Sequence, residues 1–177
     1  MEFCKSSDYV AHLVEEIEQA GNVYIMTKYI KGGDLLNHIH NTLKVDHLSE
    51  DATRALFRQM VLGVADIHDQ GLVHRDIKYL NILVSPRTQD SDKPAKIKIT
   101  DFGLCRRMES DTISDKLCGT VGFASPEVLQ EQPCDFKTDI WSLGVTLFSL
   151  LSARVPFVGS DERETIDATI NQPLTFD

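Results

Sequence analysis

Long apolar runs are missing from this sequence of 177 residues, and their absence argues against a protein with transmembrane helices. The most apolar stretch, residues 140–151, is too short to cross a bilayer and predicts a buried helix instead. The first residues, MEFCKSSDYV, lack the basic and apolar regions of a signal peptide. We therefore expect no membrane span and a cytoplasmic or otherwise intracellular location.

Cysteines and basic residues are also scarce. The four cysteines include no CxxC pair, and the chain is long for a disulfide scaffold, which favours reduced thiols. The 27 acidic residues outnumber the 18 basic ones and leave a net charge of −9. Since such a surface repels phosphate backbones, we expect no nucleic-acid partner. Charge alone does not separate an enzyme from a binding module.

The first part of the chain predicts a hairpin. Residues 22–30, NVYIMTKYI, are rich in β-branched and aromatic side chains and predict a strand. Residues 11–17 are its expected partner, with the turn at residues 20–22. A double glycine then breaks the chain, and Asp34 is positioned to cap a short helix.

Helices and short strands are predicted for the rest. Residues 49–51 form a helix start, apolar residues then recur at helical spacing, and Gly71 ends the helix. Strands are expected at 82–84 and 97–99, and a long loop from 102 to 133. Thr138 and Asp139 are expected to begin an apolar helix that reaches Leu151, and residues 160–162 to begin another. These elements predict an α+β fold.

Polar residues cluster in three short fragments that matter together. Taken alone, each has an ordinary explanation: an ion-pair cluster, a turn with Gly103 at positive φ, and Asp139 as a helix N-cap. Coincidence of all three in this order is much less probable than common ancestry with one enzyme family. The fragments are His74-Arg75-Asp76-Ile77-Lys78-Tyr79-Leu80-Asn81, Asp101-Phe102-Gly103, and Ser125-Pro126-Glu127 followed by Asp139-Ile140-Trp141-Ser142-Leu143-Gly144.

This set resembles the catalytic loop, magnesium loop, activation-segment end and central helix of eukaryotic-type protein kinases. The resemblance extends from about Tyr9 to the C-terminus and implies a protein-kinase-like fold. It implies ATP as phosphate donor and Mg²⁺ as cofactor. Asp76 would accept the hydroxyl proton, Lys78 would hold the γ-phosphate, and Asn81 and Asp101 would bind Mg²⁺.

The resemblance also implies an adenine site near the first strands. Thr27 would be the gatekeeper, Lys28 to Ile30 the hinge, and Asp34 the ribose contact. Leu83 would support the adenine from below. On their own, Thr27 is explained equally well as a strand residue, and Leu83 as a core leucine.

Subclass and substrate follow from smaller features. Lys78 and the Cys118-Gly119-Thr120 segment resemble serine/threonine kinases, most closely the calcium/calmodulin-dependent group. The implied partner is therefore a protein with a Ser or Thr acceptor. Leu80 and Ser149 stand at positions that are often acidic in kinases preferring arginine, so a strong basic preference is not expected. Lys116 occupies the place of a frequent activating phosphosite.

Other family features are missing. No Gly-rich loop or strand lysine precedes the hinge, which predicts an N-terminally truncated domain with little or no kinase activity on its own. The expected division is remnant first-lobe strands in 1–27, the hinge in 28–34, and an incomplete, mainly helical C-terminal lobe in 35–177. Two hypotheses stay open: a serine/threonine kinase core, or a catalytically silent kinase-like module that binds or regulates a partner.

Overall fold

The computed structural model describes residues 4, 6–45, 47–85, 95–113 and 118–176. Helices and strands both occur, as the sequence predicted. Position 116, the predicted place of a phosphosite, lies outside the described residues.

The predicted hairpin is present with shifted boundaries. Strand β1 (Leu13–Gln19) pairs antiparallel with β2 (Asn22–Thr27). Ala20 and Gly21 form the turn, both at positive φ (52° and 76°), which the glycine tolerates without cost. The prediction that β2 reaches Ile30 was wrong, because Thr27 is paired with Leu13, the first residue of β1.

Polar caps begin the first helices. The Asp34 carboxylate accepts a hydrogen bond from the Asn37 backbone N–H at 2.8 Å and starts α1 (Leu35–Asn37), which continues as a π-helix (His38–Leu43). Ser49 caps α2 (Glu50–His68) in the same way. Both caps were predicted, and Gly71, at φ 68°, lies in the turn that follows α2.

Short strands pack against α2. Strand β3 (Leu72–Val73) pairs with β6 (Arg106–Arg107), and β4 (Ile82–Ser85) pairs with β5 (Lys96–Ile99). All three strand pairs are antiparallel.

Gly63 allows the close approach of α2 to β5. A Cβ there would lie 2.8 Å from the Ile99 side chain and 2.9 Å from that of Tyr9. Val10 forms a parallel bridge to Ile99, so the segment that leads into the hairpin is tied to the same strand.

In the C-terminal part of the chain, α3 was not predicted and α4 begins earlier than predicted. The predicted long loop contains β6 and the short helix α3 (Pro126–Leu129). Helix α4 (Lys137–Ser152) begins before Asp139, so the N-cap explanation for Asp139 was wrong: its side chain contacts another segment instead. Helix α5 (Glu162–Asn171) is capped by Asp161, as expected.

Two groups of buried side chains hold these elements together. The larger joins α2, β4, β5 and α4 and includes Met60, Ile67, Ile77, Ile82 and Ile99, none measurably exposed. The smaller lies around α3. No helix in the described part of the chain is both long and apolar enough to span a membrane.

Candidate active site

A hydrogen-bonded cluster forms between β3 and β4. Lys78 Nζ lies 2.8 Å from Asp76 Oδ2 and donates to Thr120 Oγ1 at 2.6 Å. Thr120 Oγ1 donates to Asp76 Oδ1 at 2.7 Å. Asn81 Nδ2 donates to both the carbonyl oxygen and Oδ2 of Asp76, each at 2.8 Å. The structure thus brings together the three residues predicted to be catalytic and adds Thr120.

The electrostatics of this cluster keep Asp76 ionised. Burial raises the pKa of its carboxyl, but hydrogen bonds from Lys78 and Thr120, the Lys78 charge and the Asn81 amide outweigh burial and lower that pKa below its ordinary value. Asp76 therefore remains a hydrogen-bond acceptor at neutral pH. An incoming hydroxyl at this carboxylate would meet an acceptor for its proton.

Asp139 fixes the backbone of the loop that carries Asp76. Its carboxylate accepts hydrogen bonds from the backbone N–H groups of His74 and Arg75, both at 2.8 Å. His68 Nε2 lies 2.8 Å from the same carboxylate. Arg75 has a φ of 67°, a left-handed conformation that costs energy for a residue with a side chain. The buried carboxylate helps to hold this turn.

The Asp101-Phe102-Gly103 fragment lies against the same loop. His74 is fully buried, its Nε2 lies 3.0 Å from the Thr100 carbonyl oxygen, and its ring meets that of Phe102 at 4.9 Å. The Thr100 N–H donates to the Asn81 carbonyl oxygen at 2.9 Å. The left-handed residue here is Asp101, at φ 62°, rather than Gly103 as the turn explanation required. This turn leaves the Asp101 side chain exposed beside the segment of Asn81.

The residues expected to surround adenine fall into two groups. Asp34 and Leu83 are bridge partners, and the Val84 N–H donates to the Gly33 carbonyl oxygen at 2.8 Å, so the structure brings these two together. Thr27 and Lys28 lie at the other end of the linking segment, where both are exposed and the Lys28 N–H donates to the His12 carbonyl oxygen at 3.2 Å. Ile30, which lies between Lys28 and Asp34 in the sequence, is half-buried.

Comparison with known proteins decides the family. The family model described as "Protein kinase domain" matches residues 1–176. The chain belongs to the protein kinase domain family.

Several of its curated relatives are named as serine/threonine-protein kinases. Ovarian-specific serine/threonine-protein kinase Lok of Drosophila melanogaster is 39% identical over 160 residues, which cover 88% of this chain and 32% of that protein. Serine/threonine-protein kinase ATG1b of Arabidopsis thaliana is 34% identical over 161 residues, covering 91% of this chain and 22% of that protein. Human serine/threonine-protein kinase ULK1 is 34% identical over 149 residues, covering 83% of this chain and 14% of that protein. The chain thus spans a third or less of the length of these relatives.

The side chains of this kinase domain fit a magnesium ion. Asn81 Nδ2 makes both amide hydrogen bonds to Asp76, whereas no hydrogen bond to its oxygen is found among the described residues. The Asp101 carboxylate accepts only a 3.3 Å bond from the Gly103 N–H within the described part of the chain. Hard oxygen donors of this kind suit Mg²⁺, which keeps several waters and binds through few protein ligands. No cluster of three or more acidic, histidine or cysteine side chains able to hold a metal occurs in the described ranges.

Two participants were not among the predicted site residues. Thr120 was read only as a sign of subclass, yet its hydroxyl joins Asp76 to Lys78. Gly119 allows Thr120 to reach Asp76, because the segment passes so close to Arg75 that a Cβ at position 119 would lie 2.7 Å from the Arg75 carbonyl oxygen. The sequence signal was the Cys118-Gly119-Thr120 segment, in which a glycine precedes a hydroxyl residue.

Proposed function

We propose that this kinase domain transfers the γ-phosphate of ATP to Ser or Thr hydroxyls of a protein substrate. The observation that carries the proposal is the cluster of Asp76, Lys78 and Thr120, which couples an ionised carboxylate to a cation. Phosphoryl transfer depends mainly on alignment and charge stabilisation, and these are what such a cluster supplies.

Each residue has a role in this proposal. Asp76 orients the substrate hydroxyl and accepts its proton, and Lys78 stabilises charge on the transferred phosphoryl group. Asn81 and Asp101 would hold Mg²⁺, which neutralises phosphate charge when bound. Thr120 positions Asp76 and Lys78 relative to each other.

The nucleotide would lie along the segment from β2 to β4. In this proposal Thr27 is the gatekeeper, the backbone of Lys28 to Ile30 binds adenine, Asp34 contacts the ribose, and Leu83 lies beneath the base. The Asp34–Leu83 bridge supports the last two assignments, since it brings a polar and an apolar side chain to one place. The corresponding division of the chain at residues 27 and 34 belongs to the same proposal.

The subgroup and the cellular location are also proposals. Similarity to the calcium/calmodulin-dependent group depends on the CGTVGFASPEVL segment, and an intracellular location depends on the sequence features described first. The alternative function, a silent binding module, is not favoured, because the curated relatives are named as kinases.

Phosphate transfer by this chain joined to a first lobe that carries a Gly-rich loop and a strand lysine tests the proposal directly. With labelled ATP, Mg²⁺ and a mixed Ser/Thr peptide pool, we expect transfer that is lost in Asp76→Asn and in Asp101→Asn, and we expect little or no transfer from the 177 residues alone. Since both substitutions preserve shape and remove a charge, each should reduce transfer by at least about 100-fold if the charge acts in catalysis. Asp167→Asn, at an exposed position of α5, is the matched control. Equal transfer in all four proteins would refute the assignment.

A further inference from the structure

The outer edge of β2 is open. Strand β2 pairs with β1 on one side, and no strand in the described part of the chain lies on its other side. Successive residues of an antiparallel strand point their N–H and carbonyl groups alternately to its two sides. The Lys28 N–H points toward the β1 side, where it donates to the His12 carbonyl oxygen at 3.2 Å. Val23 and Ile25 precede Lys28 by an odd number of residues, so their backbone groups point outward and are available to a further strand.

The two edges of the hairpin differ in charge. Strand β1 reads LVEEIEQ and exposes Glu15, Glu16 and Glu18, whereas β2 reads NVYIMT and has no charged residue. Charged side chains commonly protect a strand edge from pairing with another chain, and β2 lacks this protection. Two β1 edges would bring like charges together, which is unfavourable, but two β2 edges would not.

The β2 edge is complementary to itself. When two β2 strands pair antiparallel about a two-fold axis at Tyr24, Val23 of each copy lies opposite Ile25 of the other. Both residues point their backbone groups outward, so each such pair exchanges two hydrogen bonds. Tyr24 then lies opposite Tyr24 of the second copy at the closest spacing of the ladder, where aromatic pairs stabilise a sheet.

Side chains on both faces of β2 would gain apolar neighbours from this pairing. Val23 and Ile25 lie on one face and Tyr24 and Met26 on the other, and all four are exposed. A sheet of two strands is marginal in water, whereas a sheet of four strands buries more apolar surface and leaves fewer open edges. The pairing therefore stabilises the hairpin as well as the contact.

We propose that two copies of this chain associate through β2 into one continuous antiparallel sheet of four strands, with Tyr24 at the two-fold axis. This contact uses the same surface on both copies and closes after two of them. Pairing of β2 with β1 of another copy would instead leave open edges and grow into longer assemblies. The dimer does not depend on the proposed function, since it involves none of the residues assigned to phosphate transfer.

Single cysteines on one exposed face of β2 test the register. In the dimer the two Tyr24 Cα atoms lie about 4.5 Å apart, whereas the two copies of Asn22, or of Met26, are separated by more than about 13 Å. After oxidation with copper phenanthroline, Tyr24→Cys should form at least about five-fold more disulfide dimer than Asn22→Cys or Met26→Cys, because only its sulfurs are within reach. A mixture of Asn22→Cys and Met26→Cys should also cross-link, since these positions lie opposite each other.

The unsubstituted chain, oxidised in the same way, gives the background from its own four cysteines. Equal disulfide yields at the three positions, or a yield at Tyr24→Cys no higher than this background, would overturn the proposed dimer.

A charge exchange at Tyr24 tests the two-fold axis without oxidation. Tyr24→Lys alone and Tyr24→Glu alone place like charges opposite each other and should raise the dissociation constant at least about three-fold. An equal mixture of the two variants pairs opposite charges and should associate more tightly than either variant alone. Val14→Lys, at an exposed apolar position of β1, is the control and should leave association unchanged. Equal weakening by Val14→Lys, or no recovery in the mixture, would refute the axis at Tyr24.

Sedimentation velocity distinguishes this dimer from other assemblies. Since each copy carries a net charge of −9 and the β2 edge is uncharged, added salt should screen the repulsion and increase the dimer fraction. A contact between acidic and basic surfaces would weaken with salt and would contradict the proposal. A species that keeps growing with protein concentration would show pairing of β2 with β1 instead, and a chain that stays monomeric at every concentration would refute pairing through this edge.

Discussion

Gly119 shows how a single residue sets the geometry of the candidate site. Its φ of 95° is a conformation that side chains rarely adopt, and the space for a Cβ is taken by the Arg75 carbonyl oxygen. This close approach places the next residue, Thr120, within hydrogen-bond reach of Asp76 and Lys78. The glycine is therefore needed for contact between two distant segments.

Gly119→Ala should destabilise the protein by about 1–3 kcal/mol, because the methyl group adds both backbone strain and a clash. It should also reduce the proposed transfer from ATP by displacing Thr120. Urea unfolding followed by circular dichroism measures the first effect. Gly144→Ala is the control, since a Cβ within α4 at that position meets nothing within 4 Å and should be neutral or stabilising by up to about 1 kcal/mol. Equal effects of the two substitutions would contradict this explanation.

His74 gives the stability a predictable dependence on pH. Burial lowers the pKa of its imidazole, although the carboxylates of Asp139, Asp76 and Asp101 and the hydrogen bond with Thr100 oppose this shift. The folded state thus favours the neutral ring, and the unfolded chain binds the proton more readily. Stability from this group is present above the unfolded pKa of about 6.5 and is lost as pH falls below that value.

Between pH 7 and pH 5 we expect the free energy of unfolding to decrease as pH falls, by at most about 1.4 kcal/mol per pH unit from this residue. Burial also lowers the pKa of His38, which adds a decrease of the same sign. Chemical denaturation at several pH values measures the slope. His74→Phe should flatten it, and an identical slope in that variant would show that other groups are responsible.

Among elements, α4 and the catalytic loop are joined by one side chain. Asp139 is fully buried in the first turn of the helix, and its carboxylate accepts hydrogen bonds from the N–H groups of His74 and Arg75. The sequence placed Asp139 at the start of the helix and therefore as a cap. The structure begins the helix at Lys137, which frees the carboxylate to bind a loop that is distant in sequence.

Asp139→Asn should lower the free energy of unfolding by about 1–3 kcal/mol, because an amide nitrogen replaces one of the two accepting oxygens and leaves a buried N–H without its partner. Urea unfolding again measures the loss. Asp167→Asn on the exposed face of α5, where Asp167 accepts from Asn171, should change stability by less than about 0.5 kcal/mol. A similarly small effect of Asp139→Asn would mean that the loop does not depend on this bond.

At the scale of the whole molecule, the hairpin of β1 and β2 carries several exposed apolar side chains. Val23 is 57% exposed and Ile25 62% exposed, and they lie on one face opposite Glu18 and Glu16. A two-stranded hairpin is marginal without further strands or a covering surface. Exposed apolar side chains grouped in this way favour association.

The double substitution Val23→Thr with Ile25→Thr should reduce self-association of the purified chain. It should lower the free energy of unfolding by no more than about 1 kcal/mol. Threonine keeps the β-branched shape that suits a strand and removes apolar area. Sedimentation velocity at several protein concentrations measures the association. Val84→Thr, at a fully buried position of β4, is the contrasting control and should destabilise the fold by about 1–3 kcal/mol. Unchanged association of the double variant would show that another surface is responsible.

The sequence alone determined most local features of this protein. The caps at Asp34, Ser49 and Asp161, the strands β4 and β5, and the motifs around Asp76 and Asp101 could be predicted, because each depends on neighbouring residues and on patterns shared with the kinase family. Tertiary structure decided what depends on contacts between distant segments: the bond from Thr120 to Asp76, the anchoring of the loop by Asp139 and the left-handed turn at Asp101. These features arise from close approaches between parts of the chain far apart in sequence, and no local spacing of side chains specifies such approaches.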